Sequence, residues 1–215
     1  MFEFNRILIA IIIANGLFSY KGFSDMDFFN KYKFNIGSIR SGEHIRMLTS
    51  GFLHADIGHL FFNMFTLSMF APVVINHFGE FSFVLVYFAS LIFGNLLTLI
   101  LHKNDLNYTA IGASGAVMGI LYSAILIDPE MQLGLFYVIP VPAYVFGIGY
   151  LLYSIYGIKA KTDNIGHTAH FGGAIGGYAI TLAKEPSMFT QNILMVALLT
   201  IPIIVLFVMI KLKKI

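Results

Sequence analysis

Residues 57–78 read IGHLFFNMFTLSMFAPVVINHF, and this stretch decides the fold class. A helix rises 1.5 Å per residue, so about 20 apolar residues cross a hydrocarbon slab of ~30 Å. The run from Ile57 to Phe78 meets that length without a single Lys, Arg, Asp or Glu. Outward from it, further apolar runs extend roughly over Ile7–Tyr20, Phe81–Leu101, Ala110–Ile127, Leu133–Ile158, Ile165–Ala183 and Ile193–Ile210. The pattern predicts an all-α, polytopic membrane helical bundle forming one membrane domain, since no internal repeat and no Gly/Ser- or Pro-rich linker divides the chain.

Composition agrees. The 215 residues are 58% apolar and 11% charged, where a soluble domain carries about 25% charge. Disorder, a nucleic-acid-binding module and an ordinary soluble enzyme are thereby excluded, and lipid is the expected solvent. A net charge of +2 with dispersed Lys and Arg gives no polyanion-binding patch. The absence of cysteine rules out disulfides, a thiol nucleophile and zinc–thiolate or iron–sulfur sites. The first run begins close to Met1, but Tyr20-Lys21-Gly22-Phe23 offers no small-residue cleavage pattern, so an uncleaved helix is expected. Residues 21–56 form the one long connection. They mix Phe and Tyr with charges, as suits a loop lying partly in the interface, and loops of this length are often functional.

A polar side chain inside a spanning segment is costly and needs a structural or a functional reason. Three segments carry such groups near their starts: His59 and Asn63, four apart on one face of the second; Gly112-Ala113-Ser114-Gly115 in the fourth; His167 and His170 ahead of Gly172 and Gly173 in the sixth. Even-numbered segments of a chain that crosses at every run all start on one side, so these groups can converge. Ser114 and His170 would then lie about four or five residues deep, roughly 6 to 8 Å below the surface. A serine in a membrane helix commonly bonds back to a carbonyl one turn earlier, and His59 with Asn63 could serve interhelical hydrogen bonding. The glycines favour a second reading. Gly115 with Gly119, and Gly173 with Gly177, make small-xxx-small faces that let two backbones nearly touch. An imidazole takes a proton from a serine hydroxyl only within about 2.6 to 3.2 Å, so such an approach is what Ser–His chemistry requires. His59, Asn63 and the helix start at Ser114 would supply donors for an oxyanion.

From about Arg46 to Ala183 these residues resemble the rhomboid family of intramembrane serine proteases. Arg46 with Thr49, Phe52 and His54 looks like the family's first loop, His59 to Asn63 like its HxxxN, Gly112 to Gly115 like its GxSG, and Ala169-His170 with Gly173 and Gly177 like its AHxxGxxxG. The resemblance implies a six-helix core in a protease domain over 1–185, with its first loop at 21–56, and an additional C-terminal transmembrane helix and basic tail over 186–215. It implies Ser114 as nucleophile, His170 as general base, and an oxyanion hole of His59, Asn63 and the Ser114 amide. His54 and Arg46 would hold the first loop, and Gly112, Gly115, Gly119, Gly173 and Gly177 would support the site. The fifth segment and the loop after it would be the gate for a substrate helix arriving from lipid, with Pro140 and Pro142 interrupting helix hydrogen bonding there. His167 is a second candidate base, but His170 is the histidine followed by the GxxxG spacing. The sequence departs from the family at Ile45, where a Trp is frequent, and at Ile75, where a Glu is frequent.

No cofactor and no metal is implied; the partners are transmembrane protein substrates and the lipid bilayer, with no nucleic acid. The resemblance implies a bacterial inner membrane with the site facing the extracytoplasmic side. The distribution of charge opposes that orientation: all but Arg6 and Lys184 of the 13 Lys and Arg fall at the site-bearing end, and the positive-inside rule would make that end cytoplasmic. The alternatives in function are a non-enzymatic membrane helix-binding protein or a heme-carrying bundle, for which His54, His59, His102, His167 and His170 offer axial ligands. The second leaves Ser114 and its glycines without a purpose and is discriminated by a visible absorption band. There is no HExxH for a zinc protease and no Asp inside an interior apolar run for an aspartyl dyad.

Overall fold

The computed structural model describes residues 5–135, 139–160 and 165–214. Seven long helices form its frame: α1 (Arg6–Ser24), α2 (Ile57–Phe78), α3 (Glu80–Leu101), α4 (Ser114–Ile127), α5 (Ala143–Ala160), α6 (His167–Lys184) and α7 (Ile193–Lys211). Cross-links at both ends fix their alternating direction. Asn5 ahead of α1 donates to Glu80 at the start of α3 (2.6 Å), and His77 at the end of α2 meets Glu185 after α6 (2.5 Å). At the opposite end His102, after α3, meets Thr168 at the start of α6 (3.1 Å). The starts of α2, α4 and α6 therefore share one end of the bundle.

The helices α1, α2, α3 and α7 are each long and apolar enough to cross a membrane. The shorter α4 is buried from Gly115 to Leu126 on every face. A helix apolar all round belongs inside a bundle, and α3 and α6 enclose it by backbone-to-backbone contact. A Cβ on Gly173 would overlap the Gly115 carbonyl, and one on Gly177 the Gly119 carbonyl. The adjacent pair turns to α3: a Cβ on Gly172 would come within 2.7 Å of the Phe93 carbonyl, and one on Gly176 within 3.0 Å of the Ser90 Cα. One glycine face of α6 thus seats on α4 and the next on α3.

The connection from Asp25 to Asp56 folds into short helical turns at Met26–Tyr32, Ile36–Arg40, Arg46–Thr49 and Ser50–Phe52. Asp25, Asn35 and Asp56 cap the turns and α2 by accepting backbone N–H groups at their starts. Arg46 is the buried tie of this loop. It bonds the Glu43 carboxylate (2.7 Å) and the carbonyls of Asn30 (2.7 Å) and Lys33 (3.0 Å). Asn95 of α3 donates to the Met47 carbonyl (2.6 Å), and strand β1 (Phe34–Asn35) pairs antiparallel with β2 (Thr109–Ala110). The loop is thereby fastened both to α3 and to the segment leading into Ser114.

Three expectations are corrected. The fourth helix begins at Ser114 and not at Ala110, because Thr109 and Ala110 pair with β1 and Gly112 has φ +115°, outside the helical region. The fifth helix begins at Ala143. Ahead of it β3 (Gln132–Leu135) and β4 (Ile139–Pro142) form an antiparallel ribbon that contains Pro140 and Pro142, so these prolines precede the helix instead of interrupting it. The first helix runs on to Ser24. The Ile45 side chain is 59% exposed. Residues 1–4 of the first domain and residues 161–164 of the loop after α5, Lys161 included, lie outside the described residues.

Candidate active site

Each polar group at the shared end is placed by a local feature of the chain. Asp56 accepts from the His59 amide (2.8 Å), which starts α2 at Ile57 and puts His59 in its first turn. The Ala55 N–H donates to His59 Nδ1 (3.4 Å), so the ring carries its proton on Nε2. That nitrogen faces the turn before α4: a Cβ on Gly112 would sit 2.9 Å from it. Glycine at 112 is required twice, by its positive φ and by this approach. One turn along α2, Asn63 spends one amide hydrogen on the His59 carbonyl (2.9 Å) and has the second for the cavity it lines.

His54 holds the turn from the other side, and its protonation follows from its neighbours. The Ala113 N–H can only donate, so Nε2 accepts it (3.3 Å). Ser19 of α1 gives its one hydroxyl hydrogen to the Phe52 carbonyl (2.9 Å), so His54 Nδ1–H donates to Ser19 Oγ (2.8 Å). The ring is neutral and wholly buried. Burial first, and the neighbouring His59 second, push its pKa from the ordinary imidazole value down to about 3.

Ser114 is the first residue of α4, and the amides of that first turn have no acceptor within the helix. Its Oγ lies 2.5 Å from His170 Nε2 on the first turn of α6. The seam that sets this distance continues at the same level, where a Cβ on Gly115 would lie 3.1 Å from the Ala169 carbonyl. His167 lines the same cavity, edge-on to the His170 ring (6.3 Å between centroids), but it has no contact with Ser114 among those described. Its ring is against α5, edge-on to Tyr153 (5.1 Å between centroids) and so close to Gly157 that a Cβ there would overlap it. His102 stacks on Tyr108 (4.0 Å). Ser114, His170, His59 and Asn63 line one cavity of about 970 Å³ that runs from Lys33 and Asp56 of the first connection to Phe146 and Tyr150 of α5. Two residues at the site carried no signal in the sequence. Tyr150 Oη lies 2.7 Å from His170 Nδ1, and Ser19 supports His54.

A bundle of alternating membrane helices with a serine and a histidine in contact at one end defines a class of polytopic membrane protein. Residues 41–187 match the family model described as the Rhomboid domain, and the chain belongs to the rhomboid family. It is 30% identical over 185 residues to the mitochondrial RHOMBOID-like protein 12 of Arabidopsis thaliana, covering 78% of this chain and 55% of that protein. It is 39% identical over 87 residues to the putative rhomboid protease YdcA of Bacillus subtilis, covering 40% and 42%. To the rhomboid protease GluP of the same bacterium it is 31% identical over 140 residues, covering 65% and 26%. The matched stretches thus span about half or less of these relatives' own length.

Proposed function

We propose that this chain is an intramembrane serine endopeptidase that cleaves transmembrane segments of membrane proteins with a Ser114–His170 dyad. The observation that carries the reading is the 2.5 Å contact between Ser114 Oγ and His170 Nε2, at the end of a glycine seam where the α4 and α6 backbones meet. In the reaction His170 Nε2 takes the hydroxyl proton as Ser114 Oγ bonds to the scissile carbonyl carbon. The oxygen that gains the charge accepts from the Ser114 amide, His59 Nε2–H and Asn63 Nδ2–H. His170 then passes its proton to the leaving amine, giving an acyl-enzyme and one released segment. Water entering the cavity loses a proton to His170 and attacks the ester, which frees the second segment and restores Ser114. His54 and Arg46 act at a distance, by holding Ala113 and the first connection.

The reading takes 1–185 as the protease domain and 186–215, with α7, as an additional helix and basic tail. The site-bearing end is assigned to the extracytoplasmic side of a bacterial inner membrane on the family resemblance, against the cationic excess at that end. Accessibility of a single cysteine introduced at Lys31 in intact cells decides the orientation, since the chain has no other thiol. For the activity, the purified wild type and Ser114→Ala are incubated in liposomes with a panel of labelled single-span proteins. Cleavage by the wild type and none by the variant is expected. Equal cleavage by both would remove the serine mechanism.

A further inference from the structure

We infer that Tyr150 is a positioning residue whose phenolic oxygen accepts the Nδ1–H of His170 and so holds the imidazole in the tautomer that can take a proton from Ser114. The inference rests on the serine-protease reading and goes beyond it, since the dyad alone leaves the second ring nitrogen unassigned.

His170 Nε2 can receive the Ser114 proton only if it carries a lone pair, and in a neutral imidazole the single N–H is then on Nδ1. Nδ1 lies 2.7 Å from Tyr150 Oη, so in this tautomer the phenol oxygen is the acceptor. The reverse arrangement, with Tyr150 donating to Nδ1, would put the proton on Nε2. There it would point at Ser114 Oγ and block the transfer. As His170 becomes an imidazolium in the transition state, the Nδ1–H···O bond becomes charge-assisted and strengthens, so it contributes to the barrier and not only to the ground state. A carboxylate does this work in a triad; here a neutral group that tolerates apolar surroundings takes the position.

Tyr150 is held for the task. Its ring stacks on Phe146 of the preceding turn (5.9 Å, 20° between planes) and leans on the His170 ring (5.7 Å, 35°). It belongs to α5, whereas the dyad is on α4 and α6. The bond therefore forms only while α5 is seated against α6, which ties the proton-transfer geometry to the position of a helix outside the glycine seam.

The test is Tyr150→Phe in the full chain in liposomes, which removes one oxygen and keeps the ring contacts. A fall in kcat of about 10- to 100-fold with KM within about 2-fold is expected, from loss of a bond to a group that becomes charged. The thermal midpoint should stay at the wild-type value. A readout that a packing role would not move is the ¹⁵N spectrum of His170, assigned by its absence in His170→Asn. In the wild type the neutral ring should be protonated on Nδ1, and in Tyr150→Phe the two tautomers should mix. A wild-type ring protonated on Nε2 would overturn the inference without reference to any variant. So would unchanged kcat in Tyr150→Phe while Ser114→Ala is inactive, an outcome that leaves the protease reading standing; cleavage by Ser114→Ala would instead remove that reading itself.

Discussion

Where α6 meets α4, Gly173 and Gly177 bring backbone against backbone, so that even one added carbon overlaps a carbonyl. Where α6 meets α5, the contact is made through side chains: Tyr153 and the Gly157 backbone on the His167 ring, and Tyr150 on His170. Backbones in contact have one stable separation. Side chains have several staggered rotamers, so a contact made through them has more ways to adjust than one made by backbones. The difference is between a contact fixed by the backbones and one that depends on side-chain conformation. The Ser114–His170 distance is set across the backbone seam, while the ring-lined flank borders the cavity through Phe146 and Tyr150. Tyr122 of α4 still ties α5 to the bundle by donating to the Gly147 carbonyl, so that flank is anchored as well as adaptable.

The largest effect expected from breaking this contrast is on the seam. Gly173→Val should abolish measurable cleavage and lower the thermal midpoint, because a displacement of about 1 Å at the reacting atoms alone costs on the order of 100-fold. Cleavage at the wild-type rate would show that the seam does not set the geometry. Next in size, Asn63→Ala should lower kcat by about 100-fold with a smaller change in KM, as when one oxyanion donor is lost. An unaltered kcat would return Asn63 to its helix bond with the His59 carbonyl.

A third, smaller effect tests how the Ala113 turn is held. The folded-state pKa of His54, about 3, lies below the unfolded value near 6.5. Between those values the unfolded chain binds more protons, so stability is lost as pH falls through that window, by at most about 1.4 kcal/mol per pH unit. Unfolding of the wild type followed from pH 7 to pH 4 should show this slope, and His54→Gln should flatten it. A slope identical in both would assign the acid sensitivity to other groups. The smallest effect belongs to the ring-lined flank. Phe146→Leu should change KM by about 2-fold and leave the thermal midpoint in place. A collapse comparable to that of Gly173→Val would mean that α5 is as rigidly seated as α4.

Legibility in the sequence followed the same division. The seam was readable because close approach of backbones demands glycine, and Gly115, Gly119, Gly173 and Gly177 stand at helical spacing within apolar runs. His59, Asn63, Ser114 and His170 stood out because polar groups are costly in lipid, and all four line one cavity. Tyr150 was illegible: it is one of four tyrosines between Tyr144 and Tyr156, and an amphipathic ring in a membrane helix is ordinary. Ser19 was hidden for a similar reason, since a small hydroxyl satisfied by a carbonyl looks the same whether or not it also holds a histidine. The ribbon at Gln132–Leu135 and Ile139–Pro142 was misread as helix because apolarity reports burial or lipid and not backbone geometry.

The central claim is that Ser114 is made nucleophilic by His170, and covalent trapping tests it most directly. The purified protein is treated with a fluorophosphonate in liposomes, and the adduct is located by peptide mass spectrometry. The account predicts a single phosphonylated residue, Ser114, with labelling abolished in His170→Ala and retained in His167→Ala. Labelling of Ser114 at an equal rate in His170→Ala, or an adduct on another residue, would contradict it.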